Sequence, residues 1–240
     1  MCHSDDSRPP SAPGAGVAHS STELELTAVD GNVLLGFEAR AAEPSGASIV
    51  ILPDVRGLHQ FYKDLAVRFA EVGIDAVAID YFGRTADTAD RTDAFEFMPH
   101  VQQTSPEGVA ADVAAGAAHL REAGATTVFT VGFCFGGGYS WRQSADTPGL
   151  AGCIGFYGRP QSALEVVERM QAPLLMLVAG GDAHIPVEDT RAVAEAAPVE
   201  AEVVVFDGAP HSFFDRSYDE HAAAADEAWA RIRQFVLDHA

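Results

Sequence analysis

Six short, almost uninterrupted apolar runs constrain the fold of this 240-residue chain more than any other feature. They are "ASIVILP" (47–53), "DAVAID" (75–80), "TTVFTVGF" (126–133), "AGCIGFYG" (151–158), "PLLMLVAGGD" (173–182) and "AEVVVFDGA" (201–209). A strand covered on both faces reads this way. Between the runs, apolar residues recur at helical spacing. "FYKDLAVRFAEVG" (61–73) sets Phe61, Leu65, Phe69 and Val72 on one face and ends at Gly73, a natural C-cap. "PEGVAADVAAGAAHLREAG" (106–124) opens on Pro106 and closes on Gly124. Further helices are expected from "GGGYSWRQSA" (136–145), "ALEVVERMQ" (163–171), "VEDTRAVAEAA" (187–197) and the C-terminal 219–240. Ahead of this series, "ELELTAV" (23–29) and "VLLGFEAR" (33–40) alternate around "DGN" as a hairpin would. Regular alternation after two antiparallel strands predicts an α/β fold: a mostly parallel central sheet with helices on both faces, preceded by an antiparallel N-terminal hairpin.

No internal repeat or linker divides residues 21–240, which are read as one domain. Residues 1–20 are rich in Pro, Ser, Gly and Ala, and are read as a flexible N-terminal arm. Neither a signal-type start nor an apolar run of about 18 residues is visible, so the expected compartment is the cytoplasm. Three cysteines (Cys2, Cys134 and Cys153) are too few and too scattered for a disulfide framework. The charge is −20, with 35 acidic residues against 15 basic, and Lys63 is the one lysine. That field repels phosphate backbones and anionic lipid headgroups, which argues against a nucleic-acid or membrane partner. Against it, an arginine in a pocket stands out.

In such sheets ligands gather beyond the carboxyl ends of the strands. There the sequence places Asp54, Asp80 with Arg84, Cys134, Tyr157, Asp182 and His211. Cys134, Asp182 and His211 form a nucleophile, acid and base in the chain order of α/β-hydrolases. Cys134 sits in Gly132-Phe133-Cys134-Phe135-Gly136, the spacing of a nucleophile elbow with cysteine where serine is usual. The backbone N–H of Phe135, opening a helix, would face an oxyanion, and the Val55 N–H would be the second donor. Alone, Cys134 would read first as a buried structural thiol, and Tyr157 as core packing with its hydroxyl satisfied; the elbow with Asp182 and His211 is what turns Cys134 toward a catalytic reading. No GxGxxG or GK[ST] pattern and no HExxH spacing appears, so no cofactor and no metal is expected.

The chain resembles the dienelactone hydrolase (carboxymethylenebutenolidase) family of α/β-hydrolases from about Leu24 to its C-terminus. The motifs are "GFCFGG" for the cysteine elbow, "GGDAHIP" for the acid, "PHSFF" for the histidine, "DVRG" for the oxyanion loop and "DYFGR" for an arginine. The resemblance implies Cys134, Asp182 and His211 as triad, Val55 and Phe135 as oxyanion donors, and Arg84 as carboxylate binder. It also implies an oxyanion-loop acid that holds the resting thiol, with Asp54 here in place of the family's glutamate. The family's second arginine, four residues past the histidine, is Asp215 here and Arg216 follows it.

A thiolate attacks carbonyls readily but also leaves readily, so a cysteine elbow suits esters whose other leaving group is a stabilised thiolate, phenolate or enolate. With a free pKa of about 8.5, Cys134 needs His211 as base and Asp182 to orient it. The expected partner is a small anionic lactone or ester, and the oligomeric state is left between monomer and homodimer. Candidate substrate-binding residues are Asp54, Arg56, Arg84, Tyr157 and Arg216. Arg84 reads alternatively as a surface arginine paired with Asp80 or Asp87. The long loop 81–105, with Phe95, Phe97 and Met98, is a candidate cover. The leading expectation is hydrolysis of an enol lactone such as dienelactone through an acyl-cysteine. A broad carboxylesterase or thioesterase on the same fold, and a noncatalytic thiol sensor or binding protein, stay open as alternatives.

Overall fold

Alternation within each apolar run decides which helices cover which face of the sheet. Ile49 and Ile51 pack with Phe61, Leu65, Phe69 and Trp229 on one side, whereas Val50 and Leu52 pack with Val109, Val113, Leu120 and Trp141 on the other. A period-two strand with both faces apolar needs a helical layer on each side, and both are present.

The computed structural model describes residues 4–86, 91–215 and 218–240. Its strands are β1 (Ala18–Thr27), β2 (Val33–Ala41), β3 (Ala47–Leu52), β4 (Asp75–Ile79), β5 (Thr127–Phe133), β6 (Gly152–Phe156), β7 (Leu174–Ala179) and β8 (Ala201–Phe206). They form one sheet in the order β1-β2-β4-β3-β5-β6-β7-β8. β2 runs antiparallel to both β1 and β4, and all pairings from β4 to β8 are parallel. The carboxyl ends of β3 to β8 therefore share one rim. The helices are α1 (Gln60–Ala70), α2 (Met98–Gln103), α3 (Pro106–Glu122), α4 (Phe135–Asp146), α5 (Gln161–Leu164), α6 (Val187–Ala196) and α7 (Ala222–His239). α1 and α7 pack on one face, and α3, α4 and α6 on the other. Among the described residues no helix is long and apolar enough to cross a membrane.

One local expectation needs correction. The helix expected over 163–171 is instead the short α5 followed by a 3-10 turn at Val167–Arg169. Ser144 of α4 ends it: its hydroxyl donates to Ala172 O at 2.7 Å and accepts from Ala172 N at 3.0 Å, while its carbonyl accepts from Gln171 N at 3.0 Å. The described part of the N-terminal arm is hydrogen-bonded to distant segments, and β1 starts at Ala18. Trp229 Nε1 donates to Pro10 O at 3.1 Å, Arg233 Nη1 to Pro13 O at 3.1 Å, and Gly16 N to Glu71 O at 2.8 Å. Ser7 and Ala12 are buried. Side chains from distant segments capture the arm's backbone, and a composition poor in apolar residues carries no sign of that.

Candidate active site

The loop joining β5 to α4 doubles back so tightly that only glycine fits on either side of Cys134. A Cβ on Gly132 would lie 1.9 Å from the Gly136 carbonyl oxygen, and one on Gly136 would lie 2.2 Å from Leu52 O and 2.3 Å from Pro53 O. Cys134 itself has φ 53 and ψ −111, and its N–H donates to Phe156 O at 3.0 Å. Its side chain is half-buried and packs at the edge of the core cluster under α1 and α7. Phe135 opens α4, so its N–H belongs to the first-turn donors that have no acceptor within the helix.

Asp182 and His211 come together because β7 and β8 are parallel neighbours. Gly180 N donates to Phe206 O at 2.9 Å and Gly181 N to Ala209 O at 2.8 Å, tying one loop to the other. His211 Nδ1 donates to Asp182 Oδ2 at 2.5 Å, and Asp182 Oδ1 accepts from His184 N at 2.8 Å. The Asp182 side chain is 2% exposed and that of His211 27%. This bond fixes the tautomer that leaves Nε2 as the lone-pair nitrogen. Tyr157, after β6, lies against the His211 ring at a centroid distance of 4.8 Å and reaches Phe133 of β5 at 6.3 Å. Among the described residues, the non-glycine residues with positive φ are Cys134 (53), Tyr157 (36) and Ser212 (66). All three sit beyond strand ends on the rim or beside His211, and backbone strain of this kind collects where function holds it in place.

On the other part of the rim, Asp54 and Arg56 flank Val55. Both are buried, and Arg56 Nε donates to the two Asp54 oxygens at 3.2 and 3.3 Å. Burial is the largest influence and works against the Arg56 charge, but Asp54 and Tyr62 together hold the guanidinium above its ordinary range. These candidates face each other first.

Arg84 is engaged by two carboxylates. Its Nε and Nη2 donate to Asp112 at 2.8 Å each, and its Nη1 donates to Asp30 at 2.6 Å. Asp112 is fully buried, and Asn32 Nδ2 donates to it at 3.1 Å. Hydrogen bonds to Asp112 lead in holding Arg84 above its ordinary range. The arginine therefore clamps α3 to the β1–β2 turn instead of standing open as a carboxylate anchor. The partner anticipated for it, Asp80, meets Arg91 at 2.8 Å, with both side chains 1% exposed. Asp87 and the candidate Arg216 lie outside the described residues.

Tyr81 and Arg91 escaped the sequence reading. Tyr81 is buried beside the oxyanion loop, where its hydroxyl donates to Pro53 O and lies 3.2 Å from Asp54 O. Burial pushes its phenol well up, with Asp54, Asp80 and Cys134 adding to the effect. The "DYFGR" motif contained it, but attention fell on the charged ends. Arg91 lies over Phe95 at 4.4 Å and anchors part of the expected cover loop, whose Phe95 stacks on His100 at 5.0 Å. Cys153 is a core thiol, which burial pushes up to about 12. Among the described residues no three His, Cys, Asp or Glu side chains gather as a metal-ligating group.

Known proteins resemble this chain over most of its length. The chain is 28% identical to the carboxymethylenebutenolidase of Rhodococcus opacus over 251 residues, covering 98% of this chain and 96% of that one. It is 27% identical over 227 residues to a protein of Escherichia coli provisionally named a carboxymethylenebutenolidase, covering 87% and 84% of the two chains. Among solved structures, a provisionally named dienelactone hydrolase from Klebsiella pneumoniae superposes with a TM-score of 0.76 at 27% identity, over 91% of this chain and 99% of that one. Residues 37–239 match the dienelactone hydrolase family as a whole, and the chain belongs to that family of α/β-hydrolase-fold enzymes.

Proposed function

We propose that this hydrolase opens enol lactones of the carboxymethylenebutenolide type, or similarly activated carboxylic esters, through an acyl-thioester on Cys134. The observation that carries this reading is the elbow. A cysteine at φ 53, between glycines that tolerate no Cβ, shares a rim with an acid–histidine pair at 2.5 Å.

In this reading His211 Nε2 takes the thiol proton, and Asp182 stabilises the imidazolium that results. The thiolate adds to the carbonyl, and the oxyanion is met by the N–H groups of Val55 and Phe135. Collapse expels the enolate, which takes the proton back from His211 and so returns Nε2 to its neutral state. His211 then activates a water that releases the acid and restores the thiol. An ordinary alkoxide leaves less readily than the thiolate, so unactivated esters revert to the starting thiol.

The test is intact-mass detection of an acyl adduct on Cys134 across lactones, aryl esters and thioesters, with Cys134→Ser alongside. A mass gain on the wild type with aryl esters and enol lactones is the expected result. Turnover that persists in Cys134→Ala would remove the reading.

One observation favours the broader esterase or thioesterase reading. With Arg84 engaged by Asp112 and Asp30, that position offers no open guanidinium to a substrate carboxylate. Rates on a carboxylated enol lactone and its methyl ester separate the two: equal kcat/KM supports the broad enzyme, and a strong preference for the acid supports an anionic substrate.

A further inference from the structure

The turn carrying Val55 is short, charged and closed from several sides. Gly57 N donates to Asp54 O at 3.1 Å, and Arg56 N donates to Asp54 Oδ1 at 2.9 Å. Arg56 then folds back so that Nε meets both carboxylate oxygens, while Nη1 reaches Ser4 O of the arm at 3.4 Å. Gly57 has φ 70, and a Cβ there would come 2.8 Å from Asp80 Oδ1, so the turn packs against the end of β4 with no room for a side chain. On the other side the Tyr81 hydroxyl holds Pro53 O. The elbow touches the same turn through Gly136, whose added Cβ would meet Pro53 O at 2.3 Å.

Burying two charges contributes little net stability, because desolvation offsets most of their attraction. The pair's value lies in what it holds. We propose that Arg56 is a positioning residue for the hydrolysis: its ion pair with Asp54, formed across Val55, fixes the turn that presents the Val55 N–H and cancels the carboxylate's charge beside the cysteine elbow. The proposal rests on Cys134 being the nucleophile.

An uncompensated carboxylate at this place disfavours the thiolate, and a guanidinium locked onto it removes that penalty. Lysine supplies the charge but has neither the Nε–H that meets both oxygens nor a second nitrogen to reach Ser4 O. Tyr62 and His59 face the pair from the α1 side, and Asp5 of the arm faces Arg56 as well. Tyr81, Asp80 and Tyr139 belong to the surroundings that Asp54 shares with Cys134. His211, with Asp182 behind it, faces the site from the β7 and β8 loops. These groups are the same in every variant below, so a change that Asp54→Asn reverses belongs to the pair.

The experiment follows iodoacetamide alkylation of Cys134 against pH, resolved by peptide mass, and the pH profile of kcat/KM on phenyl acetate. The proteins are the full-length wild type, Arg56→Gln, Arg56→Lys, Asp54→Asn and the double variant Asp54→Asn/Arg56→Gln. Arg56→Gln should move the alkylation midpoint alkaline by about one pH unit and lower kcat/KM at pH 7 about tenfold. The double variant should return the midpoint to that of the wild type. Asp54→Asn alone should move it in the acid direction, and Arg56→Lys should keep the wild-type midpoint while lowering kcat several-fold at unchanged KM. An unmoved midpoint in Arg56→Gln, or a double variant as shifted as the single one, overturns the proposal. Should Arg56→Gln not fold, an alkaline or absent shift in Asp54→Asn overturns it equally. Phenyl acetate hydrolysis that survives Cys134→Ala would instead strike the cysteine reading, leaving the two failures distinguishable.

Discussion

Beyond β3 and β4 the rim is fastened by charge: Asp54 with Arg56, Asp80 with Arg91, and Arg84 between Asp112 and Asp30. Beyond β5 to β8 it is fastened by backbone strain and rings. Cys134, Tyr157 and Ser212 hold positive φ, and Phe133 stacks on Phe156 at 4.6 Å beneath them. The difference separates two jobs. Buried ion pairs break hard when one partner is lost, which suits them to holding loops still. Strained backbone holds a side chain clear of its neighbours, which suits the groups proposed to react.

The contrast is tested most sharply by His211→Ala. On the strained half of the rim, kcat on phenyl acetate should fall by about 10³-fold or more, while the melting temperature moves little because the side chain is partly exposed. A large loss of melting temperature with retained turnover would give His211 a structural role instead. Next in size is Gly132→Ala, whose methyl has no room against the Gly136 carbonyl. Chemical denaturation should register a loss of about 4 kcal/mol or failure to fold, and a tolerated substitution would show the elbow to be looser than its geometry.

On the charged half, Arg84→Met should uncover the buried Asp112 and lower stability by about 2 kcal/mol, at the low end because Arg84 is 23% exposed and Asn32 remains. The ratio of kcat/KM for a carboxylated lactone over its methyl ester should not move. A collapse of that ratio would return Arg84 to the substrate site. The smallest effect concerns His59, whose Nδ1 caps α1 by accepting from Phe61 N at 3.1 Å, so that Nε2 donates to Asp5 Oδ1 at 3.0 Å. Burial, then Arg56, holds this imidazole below its ordinary 6.5, with Asp5 opposing them. A depressed value means that the fold favours the neutral ring. Its contribution is therefore present above pH 6.5 and lost as the pH falls through the lower folded value. Between pH 7 and 5 the melting temperature of His59→Asn, which keeps a cap, should fall about 1–3 °C less than that of the wild type. An equal or larger fall would remove His59 from the acid response.

How much could be read without coordinates follows the same division. The elbow was legible because Gly132, Cys134 and Gly136 lie within five residues and answer to local sterics. The strands were legible because buried runs need apolar residues at consecutive positions. The Asp54–Arg56 pairing lay in plain view at a spacing of two, yet nothing in the letters said that both side chains turn inward. The partners of Arg84 were not legible because they stand 28 and 54 positions away, at Asp112 and Asp30. Those of the arm were not legible for a similar reason: Trp229 and Arg233, from the far end of the chain, donate to its carbonyls.

By itself the order of residues determined the layered α/β architecture and the tight cysteine turn, since periodicity and glycine sterics act over a few neighbouring positions. Which guanidinium meets which carboxylate, and which loops are thereby held still, was decided only by tertiary structure. Long side chains reach partners that adjacency in the chain does not name, and burial, which sets the strength of each pair, exists only once the layers have closed.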